Sequence, residues 1–213
     1  MNDDVVTVTA GADRFTCNAY LIPGETPTLV DAGTMPGVAD VITEHTETLD
    51  RVVLTHQHSD HVGRLDEVLD AFDADVYAYA DHPHRTHAIA DGDTVEMGDE
   101  AYDVVYTPGH AADHVSLLSQ RRLFSGDVVV YNDGAFDDGS FGRTDMAGQS
   151  RERLIESLKT LLDRLPDSVE AMYAGHGDVF YRADGDDHAD SVRDVIERAL
   201  SRAERRQPKY PDE

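Results

Sequence analysis

The sequence predicts an α/β protein in which two β-sheets pack face to face and are covered by helices. Two runs of β-rich segments, one in each half of the chain, have amphipathic segments of helical spacing beside them. A chain of 213 residues is long enough for one domain that buries about 70% of its unfolded surface. Because no linker or low-complexity block interrupts it, we expect residues 1–213 to form a single domain.

The first half begins with two β-rich segments around Gly11-Ala12-Asp13, which predicts a hairpin turn. Pro36 opens a segment of helical spacing, as proline does at helix N-termini. Residues 81–97 are polar and are expected to be irregular. The predicted elements of this half are strands at 5–10, 15–22, 28–30, 51–55 and 76–80 and helices at 36–45 and 61–72.

The second half repeats the pattern, with short strands followed by longer helices. Leucine and isoleucine recur on one face of residues 150–164, which indicates an amphipathic helix. A polar loop is expected at 131–142. The predicted elements are strands at 102–106, 115–118, 123–125 and 169–174 and helices at 150–164 and 188–206.

Four metal-competent side chains stand within six residues, directly after the apolar run Val52-Val53-Leu54. The stretch Thr55-His56-Gln57-His58-Ser59-Asp60-His61 follows a predicted strand, so its loop can direct these side chains at one small volume. Neutral imidazole suits zinc and iron, and an added carboxylate allows one cluster to hold two cations. The segment therefore predicts a metal site.

Three further candidate ligands lie downstream, each beside a glycine that permits a tight turn. They are His110 in Thr-Pro-Gly-His, Asp127 in Ser-Gly-Asp and His176 in Gly-His-Gly-Asp. Together with His56, His58, Asp60 and His61 they make seven ligands, which is enough for a two-metal site. The pattern predicts a metal-dependent hydrolase.

The ordered set of four motifs resembles the metallo-β-lactamase superfamily, from about residue 28 to residue 178. The resemblance implies an αβ/βα four-layer sandwich with the metals at one edge. It assigns His56, His58 and His110 to the first metal, Asp60, His61 and His176 to the second, and Asp127 to both. Asp31, in Asp31-Ala32-Gly33-Thr34, is similar to a family motif that supports the metal loop through hydrogen bonds.

The cofactor implied is a pair of divalent ions, zinc in the first place and iron or manganese as alternatives. Ions about 3.5–4 Å apart lower the pKa of a trapped water and polarise a substrate carbonyl. The resemblance assigns the catalytic role to the carboxylates of Asp60 and Asp127. No covalent enzyme intermediate is needed.

Two segments resemble the compact glyoxalase II-like proteins, which hydrolyse S-acyl thioesters of the S-lactoyl-thiol type. One is the run from Thr107-Pro108-Gly109-His110 to Ser116, and the other is Gly142-Arg143-Thr144-Asp145 with the helix after it. Asp113 and Gln149 depart from that pattern. The residues expected to line the substrate mouth are Tyr131, Phe136, Phe141 and Arg143, although Arg143 can instead pair with Asp145.

Other functions compete with thioester hydrolysis. A lactonase or esterase would use the same ligands. A persulfide dioxygenase, a branch that resembles glyoxalase II, would hold one iron with His56, His110 and Asp127. A nuclease of the superfamily and a metal-binding protein without catalysis are further alternatives. The histidines His82, His84 and His87 form a second cluster, which we expect to lie at the rim and to bind no metal.

The charge excludes some partners. There are 43 acidic and 18 basic residues, a net charge of −25, so the basic footprint that nucleic-acid binding requires is missing. The acidity and the scarcity of lysine resemble proteins of salt-loaded cytoplasm. A single cysteine, Cys17, fits a reducing compartment. We expect a cytoplasmic enzyme with a small-molecule substrate and neither nucleic acid nor membrane as partner; the sequence leaves the oligomeric state open.

Overall fold

The computed structural model describes residues 5–182 and 190–207 and contains two six-stranded β-sheets. By its internal contacts the chain divides into two compact units, Met1–Val104 and Val105–Glu213. Several predicted features lie outside the described residues: most of the acidic run 184–190, His188, and the C-terminal residues from Pro208 onward.

The first unit contains the sheet ordered β1-β2-β3-β4-β5-β6. Antiparallel pairing joins β1, β2 and β3, and parallel pairing joins β3, β4, β5 and β6. This mixed sheet places the ends of β3 and β4 side by side, and those ends lead into the Asp31 turn and the metal loop. Its strands are β1 Val6–Thr7, β2 Tyr20–Ile22, β3 Thr28–Val30, β4 Arg51–Val53, β5 Asp75–Ala78 and β6 His87–Ala88.

Three short helices belong to the same unit: α1 Val38–Thr43, α2 Ser59–Val62 and α3 Leu65–Ala71. Their apolar sides join strand residues in one core cluster, in which Leu29, Ile42 and Val68 are fully buried. The single helix predicted at 61–72 is wrong in one respect, because Gly63 and Arg64 separate α2 from α3. Since α2 is a separate turn, Asp60 and His61 lie on it while His56 and His58 precede it.

The second sheet has the order β12-β11-β10-β9-β8-β7, and the boundary between the units falls within β8. Parallel pairing joins β10 to β11, and the pairs β9–β10, β11–β12 and β7–β8 are antiparallel. The strands are β7 Thr94–Met97, β8 Glu100–Tyr106, β9 Val115–Leu118, β10 Arg122–Gly126, β11 Ala171–Ala174 and β12 Phe180–Tyr181.

The expectation that residues 81–97 are irregular is wrong. They contain β6 and β7, and β7 forms a hairpin with β8 through Gly98 and Asp99. The alternation of exposed Thr94 and Glu96 with buried Val95 and Met97 is the period of a half-buried strand. That signal was present in the sequence but was too short to distinguish from a polar loop.

Two long helices, α4 Arg151–Arg164 and α5 Val192–Glu204, lie in the second unit. Ser150 and Ser191 cap them, and Ser191 forms a reciprocal capping box with Asp194, which satisfies amide groups that a helix start leaves unbonded. Leu154, Leu158 and Leu161 of α4 are fully buried in the core cluster of this unit, as their spacing predicts. The loop at 131–142 is held to α5 by Arg198 and Arg202, whose guanidinium groups donate to Asp138.

In the part of the chain that the structure describes, every helix is too short or too polar to cross a membrane.

Candidate metal centre

The first unit contributes four of the seven predicted ligands, and we call His56, His58, Asp60 and His61 the first ligand cluster. His56 Nε2 and His58 Nδ1 lie 3.0 Å apart, and Asp60 Oδ2 lies 3.9 Å from His61 Nε2. Two ligands of one tetrahedral zinc ion are about 3.3 Å apart, given bonds of about 2.0–2.1 Å. The donor set and these separations therefore fit divalent metal ions.

Asp31 organises the first ligand cluster from the neighbouring strand end. Its carboxylate accepts hydrogen bonds from the Thr55 backbone N–H at 2.9 Å, from Thr55 Oγ1 at 2.7 Å and from His61 Nδ1 at 2.8 Å. Asp31 is 1% exposed and has a φ of 58°, in the left-handed region that residues other than glycine rarely adopt. A buried residue held in this conformation is typical of a functional site.

The hydrogen bonds of Asp31 and Thr55 determine which nitrogen of each histidine carries the proton. His61 donates from Nδ1 to Asp31, which leaves Nε2 as the ligand atom. Thr55 Oγ1 donates to Asp31, so it accepts from His56 Nδ1, 3.2 Å away, and His56 Nε2 is also the ligand atom. Asp31 and Thr55 thus engage the Nδ1 atoms of two imidazoles, and in each ring Nε2 is the nitrogen that could bind a metal.

The second unit contributes the other three ligands, and we call His110, Asp127 and His176 the second ligand cluster. Asp127 Oδ2 lies 3.3 Å from His110 Nε2 and 3.5 Å from His176 Nε2. Asp127 follows β10 and His176 follows β11, and because these strands are parallel neighbours their ends bring the two side chains together. Each distance is close to that between two ligands of one ion, so each histidine could share an ion with Asp127.

The backbone of Gly142 and Arg143 closes over the second ligand cluster. The Gly142 N–H donates to the Asp127 carbonyl at 2.8 Å. The Arg143 carbonyl accepts from His110 Nδ1 at 2.9 Å, so Nε2 of His110 is the atom that can bind a metal. The segment 142–145, which in the sequence carries only a resemblance, thus contacts His110 and Asp127 through its backbone.

The predicted substrate residues lie in different settings. Phe141 is fully buried in the apolar core cluster of the second unit, so its place in a substrate mouth is not supported and its role is packing. Arg143 is exposed and forms a two-pronged pair with Asp145, at 2.8 and 2.6 Å. The hydrogen bond from Arg143 holds the pKa of Asp145 below its usual range. Tyr131 is half-buried and packs its ring edge-on against Phe180.

The histidines His82, His84 and His87 lie on the surface of the first unit. His84 Nε2 is 2.6 Å from the carboxylate of Asp66, and the ring of His87 stacks on Tyr77. Partial burial, with the neighbouring His84, lowers the pKa of His82. These contacts give the histidines surface roles that require no ion.

Replacing His84 by alanine should therefore leave the metal content unchanged. It removes one exposed contact with Asp66, which is worth at most about 1 kcal/mol of stability. Elemental analysis of the purified variant beside the wild type tests this expectation. If the variant lost one equivalent of metal, the assignment of a surface role to this cluster would be wrong.

Comparisons with known proteins identify the family of this chain. Residues 12–206 match the metallo-beta-lactamase superfamily. The chain belongs to this superfamily. The α/β fold that the sequence predicts is thereby confirmed, with its two mixed sheets and their helices. The superfamily and the ligand clusters together indicate a divalent metal site.

The relatives include several hydroxyacylglutathione hydrolases. That of Aliivibrio fischeri is 32% identical over 151 residues, which are 70% of this chain and 56% of the relative. That of Vibrio cholerae is 31% identical over the same length. This superfamily member thus spans about half the length of the curated relatives it matches.

Solved structures agree with the assignment to the superfamily. ETHE1 from Myxococcus xanthus is 25% identical, with a TM-score of 0.67 over 91% of this chain and 87% of its own. A protein named TTHA1623, solved in a di-iron-bound form, is 27% identical, with a TM-score of 0.62 over 78% of this chain and 89% of its own.

Proposed function

We propose that this superfamily member is a dinuclear metal-dependent hydrolase of the glyoxalase II type that cleaves an S-acyl thioester. The observation that carries the proposal is the spacing of ligand atoms in each cluster, 3.0 Å between His56 Nε2 and His58 Nδ1 and 3.3 Å between His110 Nε2 and Asp127 Oδ2. The similarity to hydroxyacylglutathione hydrolases supports a thioester of the S-lactoyl-thiol type as the substrate.

The ligand assignment that we propose follows the family pattern. His56, His58 and His110 hold one ion, and Asp60, His61 and His176 hold the other. Asp127 binds both, since a carboxylate has two oxygens while an imidazole presents one nitrogen to a metal. The di-iron form of TTHA1623 supports two ions in a protein of this fold.

When bound, two divalent ions, zinc in the first place, supply an acidic water and a Lewis acid for the thioester carbonyl. Asp31, Thr55 and the Arg143 carbonyl accept from the Nδ1 atoms of His61, His56 and His110, so Nε2 of each ring would be the atom that binds an ion. Asp60 and Asp127 add the negative charge that draws cations into the site.

We propose Tyr131 and Arg143 as substrate contacts. The Arg143 guanidinium is 43% exposed and already holds the carboxylate of Asp145, so a substrate carboxylate would exchange with that partner. A cytoplasmic setting belongs to the same proposal; its support is the single buried cysteine, which fits a reducing compartment.

The test is metal stoichiometry together with thioester hydrolysis. Protein from its native source should carry near two equivalents of zinc, iron or manganese and should hydrolyse S-lactoyl thioesters. His58→Ala should lose the activity, because removing a ligand forfeits several kcal/mol of charge stabilisation, about a thousandfold in rate. His84→Ala is the matched control, since it removes a histidine of the same unit outside the ligand clusters.

Other outcomes would point elsewhere. One equivalent of iron, with oxygen uptake in the presence of a thiol persulfide, would indicate a persulfide dioxygenase instead of a hydrolase. Hydrolysis of lactones in place of thioesters would keep the two-metal site and change the substrate class. A His58→Ala rate near that of the wild type would contradict the two-metal assignment.

A further inference from the structure

His114 is a fully buried histidine of the second unit that lies outside both ligand clusters. It immediately precedes β9, thirteen residues before Asp127, and its ring points at the turn that carries Asp127. A buried imidazole must have hydrogen-bond partners for its polar atoms, and those partners reveal its task.

The partners of His114 determine its protonation. The backbone N–H of Asp127 donates to His114 Nε2 at 2.9 Å. Because an amide nitrogen can only donate, Nε2 carries no proton, and in the neutral ring Nδ1 carries it. Nδ1 then donates to Thr107 Oγ1, 2.8 Å away.

The chain of hydrogen bonds continues and returns to the Asp127 turn. With Nδ1 as the donor to Thr107, the Thr107 hydroxyl donates to Ser116 Oγ at 3.0 Å, and Ser116 Oγ donates to the Ser125 carbonyl at 3.4 Å. Thr107, Ser116 and Ser125 are all fully buried. Each hydrogen bond in this network then has a defined donor and acceptor. If the ring of His114 flipped, a buried polar group would lose its partner.

The Asp127 peptide groups are therefore held on both sides. His114 accepts from the backbone N–H, and Gly142 donates to the backbone carbonyl at 2.8 Å. With the backbone fixed, only the side-chain torsions of Asp127 remain, and its Oδ2 lies 3.3 and 3.5 Å from His110 and His176.

We propose that His114 is a positioning residue, which through its Nε2 acceptor sets where the Asp127 carboxylate lies in the second ligand cluster. The proposal rests on the proposed function, in that Asp127 is taken as a metal ligand. His114 itself contacts neither ion. Loss of its acceptor should weaken metal binding by about 10–100-fold, the effect that follows from removing a partner that orients a ligand.

Two variants separate the effect of the Nε2 acceptor from the effect of the volume of the His114 ring. His114→Gln places an amide oxygen where Nε2 lies, so it can still accept from the Asp127 N–H. His114→Asn reaches only to the position of Nδ1, so it keeps the contact with Thr107 and loses the contact with Asp127. Metal affinity is measured for both and for the wild type by competition with a chelator, using zinc, with the melting temperature of each metal-free protein.

We expect His114→Asn to bind zinc about 10–100-fold more weakly and His114→Gln to recover most of that loss. Nitrogen-15 NMR of the metal-free wild type, labelled at histidine and assigned with His114→Gln, should show a His114 ring protonated at Nδ1 and bare at Nε2. This measurement does not depend on whether His114→Asn folds.

Three results would overturn the proposal. A ring protonated at Nε2 would contradict the hydrogen-bond direction. Zinc affinity of His114→Asn equal to that of the wild type would remove the positioning role and leave the proposed function intact. A wild type that binds no zinc, iron or manganese would overturn both.

Discussion

Asp127→Asn is expected to lower thioester hydrolysis by about a thousandfold or more and to cost the protein bound metal. The carboxylate lies 3.3 Å from His110 Nε2 and 3.5 Å from His176 Nε2, at the position proposed for the shared ligand. Asparagine has nearly the same shape but offers one neutral oxygen, so it cannot bridge two cations or offset their charge. The effect is thus one of charge and ligand number more than of packing.

The measurement is metal content by elemental analysis together with the rate on an S-lactoyl thioester. Asp163→Asn is the matched control, because Asp163 is an exposed residue of α4. It removes the same charge without touching either ligand cluster and should keep both metal and rate. An Asp127→Asn protein with two equivalents of metal and a rate within tenfold of the wild type would contradict the shared-ligand role.

Gly142→Ala should be nearly as damaging, although the change adds a single methyl group. A Cβ at residue 142 would lie 2.2 Å from the Asp127 carbonyl oxygen and 2.8 Å from His110 Nδ1. Contacts this short force the backbone or the imidazole to move, and both belong to metal ligands. We expect loss of metal and of hydrolysis, with about 1–3 kcal/mol of lost stability from overpacking.

The control for that variant is Gly11→Ala, where a Cβ would meet nothing within 4 Å. Zinc titration and thermal unfolding of both variants are compared with the wild type. Gly142→Ala should bind zinc weakly while still unfolding cooperatively, and Gly11→Ala should resemble the wild type in both respects. Normal zinc binding by Gly142→Ala would contradict this expectation. It would show that the backbone at residue 142 can shift, and that its close packing against His110 and Asp127 is not needed to orient them.

Much of the fold was predictable because its strands are short, apolar and bounded by turns. The strand at 115–118 was predicted with its observed bounds, and the helix at 150–164 differs from α4 by its capping residue alone. Strands β6, β7 and β12 were missed, since each is two to four residues long and half of its residues or more are exposed or partly exposed. Pairing with a neighbouring strand, more than local propensity, makes such segments extended.

The seven candidate ligands are a prediction from the sequence alone, made because histidine and aspartate at those spacings have few other reasons to cluster. Their order along the chain also sufficed for the superfamily, which the match over residues 12–206 confirms. The hydrogen-bond partners of each candidate ligand could not be predicted from the sequence. Asp31 is 24 residues from Thr55, and His110 is 33 residues from Arg143, so no local pattern connects them.

The superfamily, the α/β class and the set of candidate ligands could be predicted from the sequence, because these depend on residue types and short spacings. The structure was needed to show that Asp31 and the Arg143 carbonyl accept from Nδ1 of His61 and His110, that Phe141 belongs to the core and that His114 accepts from the Asp127 backbone N–H. A tautomer, a buried face or a hydrogen-bond direction depends on neighbours that folding brings from distant parts of the chain. Such partners are set by three-dimensional proximity, which spacing in the sequence does not encode.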